Sequence, residues 1–190
     1  MIVEKSFIQK ILISEVQGLD PITVYLEQLG ERQGKITVEY ASKSWSTFFS
    51  GCGDSGIATF VSKLSSEYLI DRFAPQITKY VPNFEQFDAE MRMKIVEMRR
   101  QDELSKDFAR ALFDVETWRG KVTQNPYEPL INPFPEFAEE FERADFQAFD
   151  VPECISSEYR RFERIVKAVI EALKPVKTNN IDYFEHFYQI

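Results

Sequence analysis

One histidine and two cysteines are all that the 190-residue chain offers for Cys/His metal coordination or for a cysteine–histidine nucleophile–base pair. No Cys/His zinc spacing can be written from that set, and a disulfide framework has only Cys52 and Cys154 to draw on. Two thiols in a cytosolic chain are expected reduced. Long apolar runs are missing too, since none approaches the ~20 residues of a membrane helix. The amino-terminal MIVEKSFIQKILISEV interrupts its apolar pattern with Glu4, Lys5 and Lys10. It has neither the unbroken stretch nor the small-residue cleavage site of a signal peptide, so a cytoplasmic protein is expected. A basic excess is also absent. Lys and Arg number 23 against 31 Asp and Glu, a formal net charge of −8, which argues against direct contact with nucleic acid or membranes.

What is there is a core and an uneven charge distribution. Hydrophobic residues make up 44% and include 17 phenylalanines, enough for one sizeable domain, with or without a small appendage. Residues 124–153 hold eight acids against the single Arg143, so this segment carries nearly the whole charge excess. A basic partner is favoured by such a segment.

The pattern along the chain predicts an α+β fold: an N-terminal antiparallel sheet of three or four strands, then four or five helices, within a single domain over 1–190. Residues 1–50 read mainly as strands. Ile22, Val24 and Leu26, then Ile36, Val38 and Tyr40, alternate with polar residues around Gly30–Gly34, which predicts a hairpin over Ile22–Tyr40. Asp20-Pro21 could instead start a helix over 21–29. Residues 54–120 are helical, with Asp54 or Ser55 as the first cap and one stripe through Ile57, Phe60, Val61, Leu64, Tyr68 and Leu69. A second helix starts at Asn83, and a third carries Leu104, Phe108 and Leu112 inward. Residues 124–153 form a proline-rich crossing and then an acidic–aromatic helix, 156–175 a last helix, and 176–190 a tail aromatic enough to dock.

The hairpin, Ser44-Trp45-Ser46, the glycine-rich turn and Glu103–Arg110 resemble uncharacterised accessory proteins of tailed phages and prophages of enteric bacteria, over less than half the chain. The resemblance implies a phage setting in a bacterial host cell and no particular reaction.

Gly51-Cys52-Gly53-Asp54-Ser55-Gly56 matches G-x-G-x-x-G, but antiparallel strands precede it and Asp54 would repel a pyrophosphate, so it reads as a turn and helix cap. Gly53-Asp54-Ser55-Gly56 also resembles the nucleophile surroundings of chymotrypsin-like proteases, yet the only base, His186, lies in the wrong chain order. Cys52 at a helix start could pair with His186, but small buried cysteines are the commoner case. Arg92, Lys94, Arg99 and Arg100, and Arg160, Arg161, Arg164 and Lys167, are interrupted by Glu97 and Glu163, as on solvated helix faces.

The heaviest weight falls on the acidic–aromatic segment. Phe137 and Phe141 share one helical face, and Glu136, Glu139 and Glu140 gather opposite them with Glu142 at the edge. Either the phenylalanines plug a core beneath solvated acids, or Glu136, Phe137, Glu139, Glu140, Phe141, Glu142 and Asp145 form a partner-binding surface with aromatic anchors. The leading expectation is a non-enzymatic phage or mobile-element interaction protein that modulates a host or phage protein. That partner would be basic or nucleic-acid-binding, and the effect anti-restriction or anti-CRISPR inhibition through the acidic surface. No cofactor or metal is expected. The alternative is a small hydrolase or nucleotide-binding enzyme centred on Gly51–Gly56.

Overall fold

Strict alternation of apolar and polar residues sets the amino-terminal sheet, seen in a computed structural model that describes residues 7–121, 131–144 and 151–175. Four antiparallel strands, β1 (Gln9–Ile13), β2 (Ile22–Gly30), β3 (Gln33–Tyr40) and β4 (Lys43–Phe49), lie in chain order. The hairpin is the expected one, with Val24 opposite Val38 and Leu26 opposite Ile36, and residues 21–29 are not helical. Ile22, Val24, Leu26, Ile36 and Val38 are all buried, each contributing roughly 1.5–3 kcal/mol of hydrophobic burial. Among the described residues six α-helices follow, one or two more than expected: α1 (Gly56–Val61), α2 (Ser66–Phe73), α3 (Phe84–Arg100), α4 (Lys106–Phe113), α5 (Ala138–Arg143) and α6 (Ser157–Ala172). The extra helix arises because the run from Asp54 breaks at Ser65, whose extended backbone lets its side chain accept from the Tyr68 N–H at 3.2 Å. Tyr68 thereby leaves the stripe and is exposed, while Ile70 is buried.

Contacts divide the chain into two compact units, Met1–Thr78 with Ser157–Ile190, and Lys79–Ser156. In the first, α1 packs on β2 and β3, α2 on β4 and α6, and α6 on β1 and β2. Gly34 permits the approach of α1, because a Cβ there would lie 2.7 Å from the Ile57 Cβ. In the second, Asn83 caps α3 by accepting from the Gln86 N–H at 3.2 Å. Phe87, Met91, Ile95 and Met98 recur at helical spacing and meet Leu104, Phe108, Leu112 and Trp118 in its core. The second unit is closed by a short ribbon; Gln76–Val81 reads as a weak strand in the sequence, but its pairing partner does not. Strands β5 (Tyr80–Pro82) and β6 (Glu153–Ile155) pair antiparallel, Tyr80 opposite Ile155, and the Ser156 N–H donates to the Lys79 carbonyl at 2.9 Å.

Candidate functional site

The acidic helix is built on an aromatic footing inside the second unit. A 3₁₀ turn over Pro135–Phe137 leads into α5. Phe137 and Phe141 stand four residues apart, one helical turn, and so reach the same neighbour. The half-buried Phe137 ring lies 4.8 Å from Phe108 at 24°, and Phe141, 8% exposed, meets Phe108 edge-on at 6.3 Å. Phe108 itself is fully buried. Both phenylalanines are therefore packed in the core of this unit.

The acids divide by role. Glu136, Glu139 and Glu142 are exposed. Glu140 turns inward, accepting from the Ser105 N–H and, at 2.9 Å, from the Ser105 hydroxyl. Ser105 also caps α4 by accepting from the Phe108 N–H at 3.2 Å. One residue thus links α5 to the start of the helix that carries its aromatic footing. Asp145 lies outside the described residues. Sequence reasoning missed Ser105; the signal was a serine before Lys106-Asp107, with the acid characteristic of a helix first turn. The Glu140 contact spans 35 residues and left no local trace.

The glycine-rich segment is a strand-to-helix turn, but neither expected cap closes it. Ser55 has helical backbone angles (φ −82°, ψ −1°) rather than the extended ones of a capping serine. Gln28 of β2 takes its place, its Oε1 accepting from the Ile57 N–H at 3.2 Å. Gly53 and Gly56 have φ of +70° and +78°, so the glycine pattern answers the turn's backbone. Asp54 accepts from Arg32 through Nε at 2.8 Å and Nη2 at 3.3 Å. Burial pushes the Cys52 thiol up, against the opposing pull of a backbone hydrogen bond at Gly34. That lowers its thiolate fraction. His186 lies outside the described residues.

Six of the eight residues in the two basic rows bond within their own unit. Arg92 donates to the Val115 and Glu116 carbonyls, Lys94 pairs with Glu97 at 3.6 Å, and Arg99 with Asp102 at 2.8 Å. On α6, Lys167 pairs with Glu163 at 2.9 Å, Arg164 donates to the Gln17 carbonyl, and Arg161 to the Tyr40 hydroxyl. Among the described residues no group of three or more His, Cys, Asp or Glu could hold a metal ion, and no helix is long and apolar enough to cross a membrane.

A family model, Phage_phiTE_072, described as a phage family, matches residues 1–175, nearly the whole chain. No curated protein and no solved structure matches it.

Proposed function

The chain belongs to this phage family, and from that premise we propose that it is a non-enzymatic interaction protein that binds a basic or nucleic-acid-binding protein and modulates it. The contact surface is the acidic helix with its flanks: Glu136, Glu139 and Glu142 as the exposed charges, Glu140, Phe137 and Phe141 as the base that orients them, and Asp145 continuing the acidic run. The setting is the cytoplasm of a bacterial host cell; tailed phages of enteric bacteria follow from the sequence resemblance. An anti-defence role, inhibiting a restriction or CRISPR component by presenting acid where DNA would bind, is the specific form of the proposal.

The observation that carries this reading is the seating of three exposed carboxylates, Glu136 on the 3₁₀ turn and Glu139 and Glu142 on α5, held by the packing of Phe137 and Phe141 on Phe108 and by the Ser105–Glu140 bonds. A surface fixed in this way loses less freedom on binding than a loose acidic segment would. Charge attraction at such a surface accelerates association and is screened as the Debye length falls from ~10 Å at 0.1 M to ~3 Å at 1 M salt.

The test is capture from infected host lysate with the parent chain and with E136K/E139K/E142K, which leaves Glu140 and Ser105 intact. A basic protein held by the parent at low salt, released at high salt and not held by the variant supports the reading. Equal capture by both at physiological salt overturns it. For the anti-defence form, the parent should raise phage plating on a host carrying the captured system, and the variant should not.

A further inference from the structure

A cavity of about 490 Å³ opens in the first unit, between the β3–β4 turn and the amino-terminal half of α6. That volume is within the roughly 300–1,000 Å³ of small-molecule sites. Its inner lining is apolar and aromatic. Trp45 and Phe162 are in contact, ring centroids 4.5 Å apart, beside the buried Ile165. The exposed charges around it are Lys43, Arg161 and Glu158, so the lining is net positive in a chain of net charge −8.

The polar groups there are short of an acceptor. Tyr40 is 5% exposed, and its hydroxyl oxygen accepts from the Asp20 N–H at 3.4 Å and from Arg161 Nη2 at 3.3 Å. A phenolic oxygen has two acceptor positions and one proton. Both acceptor positions are taken, and among the described residues nothing accepts the proton. The Arg161 guanidinium lies 5.4 Å from the centre of the Tyr40 ring and makes no ion pair among the described residues. Lys43 makes neither an ion pair nor a hydrogen bond among them. The first turn of α6 borders the same space, and a helix start favours negative charge. Glu158 on that turn, and Asp20 behind Tyr40, are the carboxylates that oppose an anion.

We propose that this cavity binds a small aromatic oxyanion of nucleoside-monophosphate size, its phosphate or carboxylate accepting from Tyr40, Arg161 and Lys43 and its flat body against Trp45 and Phe162. A phosphate without an apolar body would use the donors and leave the aromatic lining wet. An apolar ring without charge would leave three donors unanswered. A ligand with both satisfies the whole surface.

Titration calorimetry on the full chain tests this with adenosine monophosphate, uridine monophosphate, indole-3-carboxylate and inorganic phosphate. The expected result is one-to-one binding of at least one aromatic oxyanion, with inorganic phosphate at least about tenfold weaker. Tight nucleotides with silent indole-3-carboxylate select the phosphate form, and the reverse selects the carboxylate form. Lys43→Met and Arg161→Met should each weaken binding about tenfold, and Tyr40→Phe several-fold, as expected for lost hydrogen bonds to a charged group. Glu158→Gln should tighten it. Lys43 is exposed at a turn, so K43M keeps the test readable should R161M fail to fold. No binding of any probe at millimolar concentration, or binding that K43M and E158Q leave unchanged, overturns the proposal. The E136K/E139K/E142K variant should bind the probe as the parent does, which separates this site from the acidic surface.

Discussion

The two units differ sharply in net charge and have different kinds of core. Lys79–Ser156 carries 17 acidic and 10 basic residues, a net charge of −7, whereas the rest of the chain carries 14 and 13, a net of −1. The acidic unit is mostly helices near in sequence, closed around Phe87, Phe108 and Trp118. The near-neutral unit is a sheet whose alternate residues face helices brought from both ends of the chain. Net charge and core construction are thus set unit by unit. The same division separates the two candidate surfaces, acid on one unit and a cation-rimmed cavity on the other. Each unit also holds one of the two tryptophans, Trp45 in the first and Trp118 in the second, so single-tryptophan variants report on each separately.

The largest expected effect is Phe108→Ala. It removes a fully buried ring on which Phe137 and Phe141 pack, and should cost about 3–5 kcal/mol. Thermal melts followed at Trp118 should shift down while melts followed at Trp45 stay put. An equal shift at both would make the units one cooperative structure. Gly34→Ala is the counterpart in the first unit, where overpacking against Ile57 should cost about 1–3 kcal/mol and move the Trp45 transition first. Next come the two unusual caps. Gln28→Ala frees the Ile57 N–H and Ser105→Ala removes the α4 cap, at about 1 kcal/mol each, on the first and second unit respectively. The smallest effect is Asp54→Ala. The pair with Arg32 is exposed, so the melting midpoint should not change; a clear drop would give the glycine turn a role beyond geometry.

Cys52 adds a pH-dependent comparison. Because burial raises its thiol pKa, the folded chain keeps that proton to higher pH than the unfolded chain. The associated stability is complete below the ordinary thiol range and is lost as pH rises through the folded value. Alkaline melts should weaken the Trp45 transition, and Cys52→Ala should remove that dependence. Thiol labelling should reach the half-buried Cys154 before the buried Cys52.

What the sequence revealed and what it hid follow from distance along the chain. The hairpin was legible because Ile22–Leu26 and Ile36–Tyr40 alternate on either side of a short glycine-bounded loop. The third helix was legible from Phe108 and Leu112, and α6 from Phe162, Ile165, Val166 and Val169. The α1–α2 break was hidden because the apolar stripe runs on across it, and only the Ser65 cap marks it. The β5–β6 pairing was hidden because each strand has three residues and its partner lies more than seventy positions away. In the candidate site, spacing identified the exposed acids and the shared face of Phe137 and Phe141. It could not see Glu140 turning to Ser105, nor the Gln28 cap, since both are side-chain contacts between distant segments. The cavity stayed invisible for the same reason, being lined from residues 40–45, from Ile77 and from α6.

The β5–β6 ribbon also bears on how such a gene can change. Paired strands place the entry and exit of Lys79–Ser156 side by side, with Tyr80 opposite Ile155 and the Ser156 N–H on the Lys79 carbonyl. Segments whose two ends are close together are the ones that hosts accept or lose as insertions. Recombination between related genomes can therefore replace the acidic unit with another of different charge while leaving the reading frame and the segments on either side in sequence, α2 and α6, unaltered. The chain has the layout of a constant frame with an exchangeable cassette.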